Sequence, residues 1–165
     1  TDSSHAWGNW NERPPADPRA WGILVEPADG QAVVILEDEP VVSDDRVVVR
    51  WLRLGDEVRK HHDVEFDSPV RIRIRALGEG GKRSMYDAGS ITDRASGRVV
   101  WAMTWANTKH AGGADKNRLY EGTLELPAGQ YRFAFTTDDS HAFGAWNVSP
   151  PREPFRYGMV VQLVK

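Results

Sequence analysis

The stretch VRIRIRA (70–76) decides most of what this chain can become. Val70, Ile72, Ile74 and Ala76 alternate with Arg71, Arg73 and Arg75. A period of two puts the apolar residues on one side of an extended chain and the guanidiniums on the other, whereas a helix would scatter the charge around its circumference. The segment is therefore a strand with one dry and one wet face. The alternation recurs in RVVWAMTWA (98–106), with Val99, Trp101, Met103 and Trp105 on one face, and in YRFAFTT (131–137), with Tyr131, Phe133 and Phe135. Further strands are expected at 47–54, within 64–77, and at 84–94, 118–126 and 157–165. QAVVILE (31–37) reads as a short strand or ordered linker, and 37–45 as an exposed boundary. Turn residues punctuate the series: GDE after 54, GEGGKR (78–83), ASG (95–97) and PAGQ (127–130). Helical periodicity is nearly absent. Strands alternating with turns in this way predict an all-β chain, an antiparallel β-sandwich of about eight strands.

The chain also repeats itself. TDSSHAWGNWNERPPADPRAWGILVE (1–26) aligns without gaps on TDDSHAFGAWNVSPPREPFRYGMVVQ (137–162), with 13 identities in 26 positions. His5/His141, Ala6/Ala142, Gly8/Gly144, Trp10/Trp146 and Asn11/Asn147 are among them. Self-similarity at a fixed offset of domain length points to tandem modules. On that reading residues 1–26 are the closing loop and strand of a preceding repeat, or an N-terminal pairing segment, and 27–165 form one complete module. WGILVE (21–26) then competes for the slot of YGMVVQ (157–162). Pairing with an open sheet edge or a strand-exchanged dimer through 21–26 is the natural outcome.

Composition narrows the partners. The net charge of −3 gives no electrostatic reason to expect nucleic acid. No apolar run reaches the roughly 18 residues of a membrane-spanning helix. With no cysteine, disulfides, thiolate metal sites and cysteine nucleophiles are excluded.

The segments Pro69–Ala76, Thr92–Val99 and Leu126–Phe133 follow one another in a telling order. An alternating strand precedes a hairpin of the form D-x-x-turn-G, and an L-P-A-G-x-Y turn leads into a late core strand. Over about residues 65–137 this resembles the bacterial prepeptidase C-terminal domain and related jelly-roll modules. The resemblance implies a jelly-roll-like sandwich that serves as a non-catalytic appendage of a secreted bacterial protein. It implies an extracellular or periplasmic location, and it carries no functional residue across. The loop phrase Ser140–Asn147 stands outside that pattern.

Chemistry is expected in two long connections, 107–117 and 138–156, since loops of this length in a compact domain are often functional. If 98–106, 118–126 and 131–137 form an antiparallel meander, both loops emerge at one end of the sandwich. They would bring together Asn107, Lys109, His110, Asp115, Lys116 and Asn117 with Asp138, Asp139, Ser140, His141, Trp146 and Asn147. Three readings are open. In the first the phrase is a lid: Asp and Ser cap the backbone, His141 bonds a carbonyl and Trp146 plugs the end. In the second Trp146, Phe143 and Tyr157 offer flat faces to a glycan or protein ligand, with Asn147, Asp139 and Lys116 supplying hydrogen bonds. In the third His110, His141, Asp138, Asp139 and Asp115 hold calcium or zinc.

Catalytic residues are not expected. Ser140 and His141 are adjacent and diverge in an extended chain, so they make no triad with Asp138. GEGGKRS (78–84) lacks the spacing of a phosphate loop and reads as a hairpin turn. The Arg71/Arg73/Arg75 stripe reads as a wet sheet face paired with acids across strands. His61 and His62, in RKHHD, read as an exposed turn. The expectation is a non-enzymatic spacer or adhesion module without a cofactor, with neighbouring repeats as partners. A carbohydrate-binding module of a secreted hydrolase is the alternative, and a metal-dependent site at the two-loop end the next.

Overall fold

The computed structural model describes residues 5–6, 9–10 and 46–164. The chain divides into two compact units, Thr1–Val41 and Val42–Lys165. The expected segments 21–26, 31–37 and 37–45 lie outside the described residues.

In the first unit β1 (His5–Ala6) and β2 (Asn9–Trp10) pair antiparallel, with Ala6 opposite Asn9 and His5 opposite Trp10. At the equivalent positions of the second copy, the Ala145 N–H donates to the Ala142 carbonyl at 3.0 Å, but there the chain forms a turn and bends rather than paired strands.

The second unit is all-β. Its strands are β3 (Val47–Trp51), β4 (Arg59–Phe66), β5 (Val70–Gly80), β6 (Met85–Asp93), β7 (Val99–Ala102), β8 (Lys109–His110), β9 (Asn117–Leu126), β10 (Gly129–Thr136) and β11 (Gly158–Val164). Pro154–Arg156 forms a single 3-10 turn. Every pairing is antiparallel. One layer runs β3-β11-β5-β9-β8 and the other β7-β6-β10-β4. The layers join where β5 passes into β6, with Glu79 opposite Asp87 and Gly80 opposite Met85.

The core lies between the layers. Ile72, Ile74, Ala76, Met159 and Val161 from one meet Ile91, Trp101, Tyr131, Phe133 and Phe135 from the other. Each set comes from alternate positions of its strands, so the alternation of β5 and β10 points inward as the sequence requires; in β7 Trp101 is buried but Val99 is exposed, because an irregularity in the β6–β7 register separates the two. The arginine stripe faces acids across β9: Arg71 is opposite Glu125 and Arg75 opposite Glu121, with Arg75 Nε 3.1 Å from Glu121 Oε1. Cross-strand pairing of opposite charge lets a strand carry three arginines on one face.

Three local expectations change. RKHHD is not a turn: His61 and His62 sit in β4, opposite Ala134 and Phe133 of β10. β4 is an edge strand, exposed over its first five residues, so no apolar alternation marks it. β5 continues through Gly78 to Gly80, and the turn begins only at Gly81. The meander is also absent. β9 pairs with β5 and β8, while β10 pairs with β6 and β4. The PAG turn thus crosses between layers. Because it still reverses the chain, β9 starts at the end of the sandwich where β10 finishes, and both long loops remain together.

Candidate functional site

The two loops are stitched backbone to backbone. The Ala114 N–H donates to Ser149 O at 3.1 Å, and the Arg152 N–H to Ala111 O at 2.9 Å. Arg118 anchors the first loop from β9. Its guanidinium lies 3.8 Å from the centre of the Trp105 ring, and it donates to the Thr108 carbonyl at 2.5 Å and to Thr108 Oγ1 at 3.1 Å. The second loop lies over Leu77 and Leu119, building a small second core with Ala142 and Tyr157, flanked by Phe143 and Trp146.

His141 is the hub. It is fully buried and has φ of 61°, a left-handed conformation that costs a non-glycine residue about 1–2 kcal/mol. The Asn117 amide nitrogen donates to Gly112 O at 2.8 Å and Ser149 O at 3.0 Å. Its oxygen is therefore the acceptor for His141 Nε2–H at 2.7 Å. His141 Nδ1 lies 2.9 Å from Asn147 Oδ1, which also accepts from Lys116 Nζ at 2.9 Å. Burial and the Lys116 ammonium push the imidazole pKa below its ordinary value, against the Asn147 oxygen, which favours the charged ring. Trp146 stands edge-on to both His141 and Tyr157, with ring centroids 5.0 and 5.1 Å away.

Beneath the hub lies an acidic cluster. Glu79, Asp87 and Asp138 each bring a carboxylate oxygen within 4.8 Å of the others. Glu79 and Asp87 are direct cross-strand partners, 3 % and 0 % exposed. Asp87 accepts from the Tyr157 hydroxyl at 2.6 Å and from the Asp138 N–H at 2.8 Å. Burial, helped by the Asp138 and Glu79 charges, pushes its carboxyl up to about 6 against those two hydrogen bonds. Glu79 Oε1 pairs with Lys116 Nζ at 2.9 Å, while its buried Oε2 has no hydrogen-bond partner among the described residues. Burial raises the Glu79 pKa, opposed by Lys116.

The loop residues anticipated from the sequence divide sharply. Asn117, His141, Asn147, Lys116 and Trp146 come together in one network. Asp138 turns inward to the acids, with its Oδ1 accepting the Ser140 N–H at 3.0 Å. Tyr157 is fully buried, and Phe143 packs tilted at 52° against Phe155. Of the three rings proposed as a flat platform, Tyr157 is buried, Trp146 stands edge-on to it, and Phe143 is half-buried and tilted on Phe155. His110 Nε2 is 3.1 Å from Ala114 O, and Asp115 and Asp139 are exposed. Among the described residues neither histidine belongs to any cluster of ligand atoms within 4.8 Å. The reason is that the Asn pair holds the His141 ring turned into the second core.

Glu79 and Asp87 were not anticipated. A faint signal for Asp87 exists, because Met85, Asp87, Gly89 and Ile91 share a strand face. An acid at an inward position of an apolar series is unusual. For Glu79 the sequence holds no such signal, since it continues the charged face of Arg71, Arg73 and Arg75.

Compared with known proteins, the chain matches no family model, and no curated protein is significantly similar to it.

Proposed function

We propose that this chain is a non-catalytic β-sandwich module, a spacer or adhesion unit within a multi-domain secreted or periplasmic protein. The observation that supports this most is the inward use of the repeated loop phrase. Thr137 Oγ1 accepts the Val58 N–H at 2.8 Å and donates to Gly55 O at 2.7 Å. The Ala142 N–H donates to Asp56 Oδ1 at 3.1 Å, and the Phe143 N–H to Leu54 O at 2.9 Å. His141 and Trp146 close the end of the sandwich. Groups spent on closing a fold are not available to a substrate. Thr137, Asp138, His141, Ala142, Gly144, Trp146 and Asn147 are also among the positions identical in the first copy, as expected if each copy must close a sandwich of its own. The resemblance to secreted jelly-roll appendages supplies the extracytoplasmic setting.

Trp146→Ala separates lid from ligand platform. A lid residue lowers the melting temperature by several degrees when truncated, with no change in a glycan-array profile. A glycan bound by the parent protein and lost in the variant at unchanged melting temperature would overturn the spacer reading in favour of a carbohydrate-binding module.

A further inference from the structure

The acidic cluster is unbalanced. Two carboxylates directly opposed across antiparallel strands repel each other, and here Glu79 and Asp87 are both buried, with Asp138 beside them. Among the described residues one ammonium, that of Lys116, reaches the group. Three carboxylates against one ammonium leave a formal charge of −2. Burying uncompensated charge is among the costliest things a fold can do. An unsatisfied, fully enclosed Glu79 Oε2 is a second and separate sign that something is meant to sit there.

We propose that Glu79, Asp87 and Asp138 hold a divalent cation of the calcium class. The donors are all carboxylate oxygens, which suits a hard cation rather than zinc. The spacing fits as well: oxygens on opposite sides of a calcium ion at about 2.3–2.6 Å lie at most about 5 Å apart, and no pair of these exceeds 4.8 Å. The charge closes, since one divalent ion cancels what Lys116 leaves. The existing hydrogen bonds orient the ligands without exhausting them. Tyr157 and the Asp138 N–H each take one lone pair of Asp87, and every carboxylate oxygen has a second. The ion would tie together β5, β6 and the root of the 138–156 loop, which are three separate parts of the chain. It goes beyond the spacer reading and stands apart from it, because a structural ion needs neither a glycan nor a partner.

The test starts from the chelator-treated protein. Calcium is added during thermal melts, and terbium is titrated with excitation of the aromatic rings, since Tyr157 touches a ligand. The expected result is a rise of several degrees in melting temperature with calcium. Terbium emission should saturate at one equivalent and be displaced by calcium. Glu79→Gln, which keeps shape and removes one charge, should abolish the emission and the calcium-induced rise. Asp139→Asn, on an exposed neighbour, should leave both intact. If Glu79→Gln does not fold, Asp138→Asn on the partly exposed ligand gives the same reading. No shift and no emission at millimolar ion, or binding unchanged in both ligand variants, overturns the proposal. Failure here would leave the Trp146 result untouched.

Discussion

At the scale of single residues the most constrained side chain is His141. Its removal leaves Asn117 Oδ1 buried without its donor, because the Asn117 amide nitrogen is already committed to two carbonyls. An orphaned buried acceptor costs about 1–3 kcal/mol. His141→Ala should therefore lower the unfolding free energy by that amount, read as a lower urea midpoint at unchanged m-value. The same residue sets a pH dependence. Its folded pKa lies below the ordinary histidine value, chiefly through burial. Its contribution is thus complete above the unfolded pKa and is lost as pH falls through the folded one. Asp87 runs the other way. Its carboxyl, pushed up from 3.8 to about 6 by burial, makes metal-free protein more stable as pH falls across that window. Lys116, Asp56 and Asp138 also face His141 electrostatically. The difference between parent and His141→Gln, measured by denaturant titration from pH 7 to pH 4, isolates the histidine. The parent should lose more stability on acidification than the variant, and parallel curves would refute this.

At the scale of elements the docking of the two loops depends on Gly113. Its φ is 67°, and a Cβ placed there would lie 1.9 Å from Pro150 O. Gly113→Ala meets both a left-handed penalty of about 1–2 kcal/mol and a backbone collision that only separation of the loops relieves. Amide exchange should accelerate at Ala114 and Arg152, which bond across that seam, while β10 amides remain protected. Uniform acceleration across both layers would instead mean that the loops and the sandwich open together. The edge strand β4 behaves differently. Its Asp63 accepts from Arg132 Nε at 2.7 Å and pairs with Arg94 on the exposed face of the strand. Such surface pairs contribute little and are screened by salt, so Asp63→Asn should leave the melting temperature nearly unchanged at physiological ionic strength.

At the scale of the whole molecule the layers are built from distant parts of the chain. β3 pairs with β11, with Trp51 opposite Met159 and Val49 opposite Val161, and β11 lies between β3 and β5. A strand with neighbours on both sides cannot be removed without exposing two edges and opening the core over Ile74 and Val161. Truncation before Gly158 should abolish the near-ultraviolet circular dichroism of the buried aromatics. Retention of that signal would show that the remaining strands close without it. Topology this non-local also slows folding to the millisecond-to-second range, which stopped-flow fluorescence of the seven tryptophans can read.

The sequence by itself determined the fold class and the inward face of β5 and β10, because side-chain direction in a regular strand follows from position parity; in β7 a register irregularity breaks the parity and exposes Val99. It also marked both long loops and most of the hub, since a phrase as costly as SHAFGAWN recurs only where it is needed. The tertiary structure decided the rest. Whether β9 and β10 pair or part is invisible in a PAG turn, which reverses the chain equally well within one layer or between two. β4 was hidden because an edge strand needs no apolar alternation. Above all, Glu79 faces Asp87 only through the register of β5 on β6, and Asp138 reaches them only because β10 ends at the same corner. Three acids scattered over sixty residues become one charged site through strand register, a long-range property that no local pattern records.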